Sequence, residues 1–307
     1  MSTDLPDDRP PYAKPWLSYA DQVKQLVSRG LVVANTITAQ AFLAHINYYR
    51  FSGYCVAFEQ ERHVFREGVT FEQVRASYDF DLALRDLVTE ALEVLEVDFR
   101  SAVAYNFGLR YGAFGHVDPG NFYDAFDHVE WLEQLREETE RSKEQFIEHF
   151  RSTYADYPEL PIWIAMEILS FGSLSKMYHG MFRQDQRAVA VRYRLQSGDL
   201  VTIFHHLVYV RNLCAHHSRL WDRAWTIKPS LPKGQAWQPP HLPSNDRLFS
   251  TLLLMYHLMT MCPAVRTFAA GWRDRVNTHL DHLPAVPDAL ARMGMPENWK
   301  EHPVWTS

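Results

Sequence analysis

Cysteine is nearly absent from this chain: three residues in 307, Cys55, Cys214 and Cys262, with no C-x-x-C pair among them. So odd and scattered a set argues against a disulfide framework or a zinc knuckle and fits a reducing, cytoplasmic setting. No signal peptide is expected either, because MSTDLPDDRPPYAKPW places acids and prolines where a leader needs a basic and then an apolar segment. Long hydrophobic runs are lacking. The most apolar one, LFSTLLLMYHLMTMC, is interrupted by His257 and too short to cross a bilayer comfortably, so no membrane span is expected. Positive charge is also in deficit: a formal net charge of −6 and a pI near 6.2 argue against non-specific coating by nucleic acid, leaving only local basic clusters. Strand-like alternation, internal repeats and low-complexity tracts are absent as well, and an all-α architecture is the simplest that remains.

What is present suits a globular core, since 47% of the residues are apolar. Residues 1–15, rich in proline and aspartate, read as a disordered arm, and residues 16–307 as a single helical domain. Ser18 with Asp21 resembles a capping box for a helix whose apolar stripe is Val23, Leu26 and Val27 and whose stop is Gly30. A second short helix runs through Phe42 and Ile46. Thr70 can cap one long helix, or two, reaching to about Arg110. Trp131 to Tyr154 reads as helical with a solvated glutamate face. Pro161 opens another helical segment with a break near Phe171 to Ser173. Four arginines against one aspartate make residues 183–194 the most basic local patch. Asp199 is placed to cap the next helix, Ser244 to start a very apolar one reaching Cys262, and Pro263 to start another reaching about Leu280.

The richest stretch is VRNLCAHHSRLWDR, from Val210 to Arg223. If residues 199 to 223 are largely helical, Leu200, Ile203, Leu207, Val210 and Cys214 form a core stripe. His205, Tyr209, Asn212, His216, Arg219 and Arg223 form a second stripe, polar, aromatic and cationic. Arg211 lies between the two, with the reach to act near His216. Such a set suits RNA cleavage in which the RNA's own 2′-hydroxyl attacks the adjacent phosphorus. Histidine titrates near neutral pH and serves as proton acceptor or donor, while the planar arginine fork holds a phosphoryl group as charge develops on it. Asn212 would orient the imidazole or bind phosphate. No cofactor is called for. An in-line displacement needs an acid and a base on opposite sides, so a two-fold homodimer joined through this helix would complete the cleft.

Spacing alone is weak. With 24 arginines and 15 histidines, a chain of this length contains about one Arg-x4-His by chance. Arg110 with His116, Arg273 with His279 and Arg275 with His282 satisfy a looser spacing and read as accidents. Only Arg211 is followed directly by asparagine in this pattern. Further stretches accompany it: NYYRFSGY from Asn47, YDFDLALR from Tyr78, YGAFGHVDPGNF from Tyr111 and PIWIAMEILSFGSLSKMY from Pro161. Over roughly residues 40 to 225 the chain resembles the Abi-like proteins of bacterial abortive infection, the AbiD/AbiF group of the HEPN superfamily. That resemblance implies a HEPN-like helical bundle with additional helices. It also implies a metal-independent endoribonuclease motif falling on Arg211, Asn212 and His216, RNA as substrate, and toxin-like action in anti-phage defence. A small non-coding RNA or an antitoxin would hold such an enzyme in check.

Rival readings attach to the same residues. His205, His206, His216 and His217 suggest a metal site, but adjacent helical histidines point about 100° apart and no acid or cysteine stands at a recognised spacing, so no metal site is expected. Cys214 lies on the apolar stripe and reads as a small buried hydrophobe rather than a nucleophile. His217 is either a second catalytic or RNA-binding group or a partner of the helix C-terminal dipole. Tyr209 and Trp221 would either stack on bases or fill the core. Arg219 and Arg223 would either hold phosphates or decorate a helix end. From another class comes a non-catalytic HEPN-like module that binds a non-coding RNA or senses a phage component; it predicts that His216→Ala keeps RNA binding and protection.

Overall fold

The computed structural model describes residues 11–306, and among them fourteen α-helices dominate, with one two-stranded hairpin. The all-α expectation holds. In chain order come α1 (Tyr19–Ser28), α2 (Thr36–Ile46), α3 (Tyr48–Cys55), the hairpin β1 (Glu59–Glu61) and β2 (Val64–Phe65), and α4 (Phe71–Tyr111). Then follow α5 (His128–Arg141), α6 (Gln145–Thr153), α7 (Ile162–Ile168), α8 (Phe171–Gly180), α9 (Arg183–Ala190) and α10 (Ser197–Ala215). The chain closes with α11 (Leu248–Met261), α12 (Arg266–Leu280), α13 (Ala289–Met293) and α14 (Pro303–Thr306). The arm expected over residues 1–15 lies largely outside the described residues; residues 11–18 carry no regular structure.

The described chain forms two compact units, one ending at Asp79 and joined by residues 284–286, the other comprising residues 80–283 with 287 onward. In the first, Ser18 caps α1 by accepting the Asp21 N–H at 3.2 Å, and Val23 and Leu26 are buried as the periodicity requires. Val27 is not part of that stripe and stays exposed. An aromatic cluster fills this unit, with Phe51 stacked on Phe71 at 4.8 Å and Phe42 meeting Tyr78 edge-on at 5.6 Å.

Thr70 and Gln73 close a reciprocal capping box: the Gln73 N–H donates to Thr70 Oγ1 at 3.2 Å and the Thr70 N–H to Gln73 Oε1 at 2.9 Å. With that start and no glycine or proline before Gly108, α4 runs as one helix of 41 residues. The expected helix over 131–154 is instead two, because Ser142 turns extended and its hydroxyl accepts the Glu144 N–H at 3.3 Å. The predicted break after Pro161 falls at Leu169–Ser170, where Ser170 caps α8 by accepting the Ser173 N–H at 3.0 Å. Asp199 is not a cap: α10 begins at Ser197, and the acid sits in its first turn, where it complements the helix dipole. Ser244 bonds Asp246 at 2.5 Å, and the apolar helix starts later, at Leu248.

In the larger unit α10 packs on α8 and α9, and α11 packs on α12 and α14. Phe204, on the inner side of α10, lies 4.4 Å from Phe99, 5.2 Å from Phe171 and 5.6 Å from Tyr178, ring centre to ring centre. Burying this cluster fixes which side of α10 faces inward and therefore which side is left for chemistry. Nearly every residue of α11 is buried, which accounts for its apolar run, and among the described residues no single helix is long and apolar enough to cross a membrane.

Candidate functional site at the end of α10

The five residues read as the core stripe of α10, Leu200, Ile203, Leu207, Val210 and Cys214, are all buried. Burial pushes the Cys214 thiol up to about 11, opposite to what a nucleophile needs. His206 is also buried, with Nδ1 2.7 Å from the Ile227 carbonyl oxygen and Nε2 2.9 Å from Thr251 Oγ1. Desolvation lowers its pKa to about 4, so this ring is a neutral core group.

The helix ends earlier than the sequence pattern implies. His217 adopts a left-handed conformation, φ 52°, while its N–H donates to the Cys214 carbonyl at 2.9 Å and the Ser218 N–H donates to the Leu213 carbonyl at 2.8 Å. Together these make a Schellman stop, with histidine in the place glycine normally takes. His216 is thus the C-cap residue. Arg219 and Arg223 belong to the turn that follows rather than to a helical stripe, which corrects the register expected for them.

A residue far back in the chain holds this turn. Asp81, fully buried on α4, accepts the Leu220 N–H at 2.9 Å and the Trp221 N–H at 2.6 Å through one carboxylate oxygen, and its other oxygen pairs with buried Arg85. Trp221 is entirely buried and meets Phe80 edge-on at 6.0 Å, so it fills the core. The next residue, Asp222, also in a left-handed conformation, is paired with Arg292 at 2.7 Å and Arg247 at 3.9 Å. Asp81 and Arg85 are the positioning residues that inspection of Val210–Arg223 misses. Their only sequence signal is an Asp-x3-Arg pair inside YDFDLALR, at the spacing that lets a helix close an ion pair.

Outside this frame lie the candidate groups. Arg211, Asn212, His216 and His217 are exposed. Arg211 Nη1 makes a long contact of 3.4 Å with Asn212 Oδ1. Arg219 and Arg223 are half-buried, and Arg223 Nε donates to the Arg219 carbonyl at 2.7 Å. Tyr209 stands apart from the exposed group: its ring lies edge-on to Trp225 at 6.1 Å, and its hydroxyl is buried with no hydrogen-bond partner among the described residues. The chance pairs elsewhere sit in structural contacts. Arg110 pairs with Asp185 at 3.3 Å while His116 is wholly buried, and Arg273 pairs with Asp274 at 2.9 Å while His279 bonds the Phe80 carbonyl at 3.0 Å. Among the described residues no group of three or more His, Cys, Asp or Glu side chains could hold a metal ion.

Fold and site together define an all-α protein that displays an arginine, an asparagine and a histidine at the capped end of a buried helix. The chain belongs to the Abi-like protein family, whose model matches residues 41–222 and so takes in α4, α10, the turn after it and the Asp81 tie. Membership in this family points to abortive-infection defence. Neither the comparison with curated proteins nor that with solved structures gave a match.

Proposed function

We propose that this protein is a metal-independent endoribonuclease of a bacterial anti-phage abortive-infection system, with Arg211, Asn212 and His216 as its catalytic groups. The observation that carries the reading is the placement of all three: exposed, close in sequence, and mounted where a Schellman stop and a buried carboxylate hold the backbone still. In the reaction the 2′-oxygen of RNA bonds to the adjacent phosphorus and the bond from phosphorus to the 5′-oxygen breaks. A neutral imidazole accepts the proton of the 2′-hydroxyl, and an imidazolium donates one to the departing 5′-oxygen. Arg211 binds the non-bridging phosphoryl oxygens, where negative charge grows in the transition state. Asn212 holds the phosphate or the His216 ring. The products carry a 2′,3′-cyclic phosphate and a 5′-hydroxyl.

One His216 fills one proton role. A homodimer with a two-fold axis at the α10 ends supplies the other from the second copy, each motif serving a shared cleft. His217, Arg219 and Arg223 lie beside the motif and would hold flanking phosphates. A small non-coding RNA or an antitoxin keeps such an enzyme inactive until infection.

The decisive experiment mixes wild type and His216→Ala with labelled single-stranded RNA and with structured transfer RNA in excess EDTA, and identifies the ends formed. Cleavage by wild type alone, with cyclic-phosphate ends, is the expected result. RNA bound but uncut by both proteins would instead leave a non-catalytic RNA-binding module.

A further inference from the structure

On the side of α10 that carries Asn212, two turns back toward its start, a concavity of about 430 Å³ opens between α8 and α10. Lys176 and His179 enter it from α8, His205 from α10, and Lys228 from the loop beyond, and no aspartate or glutamate lines it. Lys228 is tied to Asp246 at 3.2 Å. The side chains of Lys176, His179 and His205 are exposed and make no hydrogen bond or ion pair among the described residues. Three donors converging on one hollow without acceptors of their own suit an oxyanion ligand. The volume lies within the usual range for a small-molecule or nucleotide-sized site.

Two further observations say which oxyanion. His205 precedes Asn212 by seven residues, nearly two full helical turns, so both project from the same face about 10 Å apart along the axis. A strand held at the motif end of α10 therefore reaches the pocket by following the helix. The alternative route is closed by charge. Lys176 and His179 also border a second cavity, about 550 Å³, but there they share the lining with Asp124, Asp127 and Glu130, whose carboxylates repel a phosphodiester and offset the Lys176 charge.

We propose that the α8–α10 pocket is a phosphate subsite for the RNA strand engaged at the end of α10, with Lys176 supplying charge and His179 and His205 supplying ring N–H donors. The assignment rests on reading the Arg211–His216 surface as an RNA site, but it does not require that surface to cut.

The test uses the full chain and a fluorescent single-stranded RNA made entirely of 2′-O-methyl nucleotides, which binds without being cleaved. Anisotropy titrations between 50 and 200 mM salt compare wild type with Lys176→Ala, Lys176→Arg and Lys176→Ala/His205→Ala. Lys176→Ala should weaken binding on the order of five- to tenfold and flatten the plot of log K against log salt by about 0.7, one single-strand phosphate contact. Lys176→Arg should restore both, and the double variant should weaken binding further at unchanged circular dichroism. Wild-type affinity and salt dependence in the double variant would overturn the proposal, as would failure of wild type to bind the RNA. Adenosine monophosphate is the competing source of the same phosphate: if Lys176→Ala abolishes its binding and leaves RNA binding intact, the pocket holds a free nucleotide and the strand assignment is wrong. The ribonuclease reading is scored separately, on 2′-hydroxyl RNA with His216→Ala. Its failure alongside a Lys176-dependent salt slope would leave the subsite standing.

Discussion

The two sides of the segment from His206 to Arg223 use the same residue types for opposite ends. On the inner side, His206 is bonded through both ring nitrogens, and Arg85 from α4 is locked to Asp81 beneath Trp221. On the outer side, Arg211 makes one long polar contact among the described residues, 3.4 Å to Asn212, and His216 stands exposed. Residue type therefore does not reveal role; desolvation and partners do. A buried histidine bonded to a carbonyl and a hydroxyl is a neutral polar strut, whereas an exposed one leaves its ring nitrogens open to a ligand.

Substitutions on the inner side should carry the largest costs in stability. Trp221→Ala should cost about 3–5 kcal/mol, since it empties a wholly buried site, and urea unfolding followed by circular dichroism would read it as a lower midpoint. Asp81→Ala should cost about 3 kcal/mol or slightly more, because it takes the carboxylate from buried Arg85 and from the Leu220 and Trp221 N–H groups together. Loss of RNA cleavage in this variant, with Arg211, Asn212 and His216 all intact, would sharpen the view that Asp81 positions the motif. His206→Ala should cost about 1–3 kcal/mol through the unpaired Ile227 carbonyl and Thr251 hydroxyl. At the small end, His216→Ala should leave the melting temperature unchanged while abolishing cleavage; a large drop in stability would mean the outer histidine is structural after all.

Acidity separates the two sides by another route. The folded-state pKa of His206 is lowered to about 4 by burial, below the value of roughly 6.5 expected for the unfolded chain. Between those values the unfolded state binds the extra proton, so stability is fully present above about pH 6.5 and declines as pH falls toward 4. Wholly buried His116, lowered to about 4 by the same cause, adds to the decline. A His206→Gln variant should show a shallower fall in unfolding midpoint across this interval than wild type; an equal slope would remove His206 from the account.

Helix starts marked by a complete capping pair were legible in the sequence, whereas starts marked by a lone acid or serine, as at Asp199 and Ser244, and helix ends were not. Ser18 and the Thr70–Gln73 box are complete within four residues, and each caps a helix where the pattern places it. The stop of α10 has no such mark, because HHSRLWDR contains neither glycine nor proline, and the periodic pattern carries straight on to Arg223. Ser142 shows the reverse case, a short-range hydroxyl contact splitting a segment whose charges alone suggest a continuous helix.

The helical class, the inward stripe of α10 and the proximity of Arg211, Asn212 and His216 follow from the order of residues, because 3.6-residue periodicity and neighbouring positions are properties of the local chain. Which histidines are buried, where the helix halts and what steadies the exposed groups depend on contacts between distant parts of the chain. His217 keeps its left-handed backbone, and Leu220 and Trp221 keep their N–H groups satisfied, beside a carboxylate 139 and 140 residues earlier, and no local pattern encodes a partner that distant.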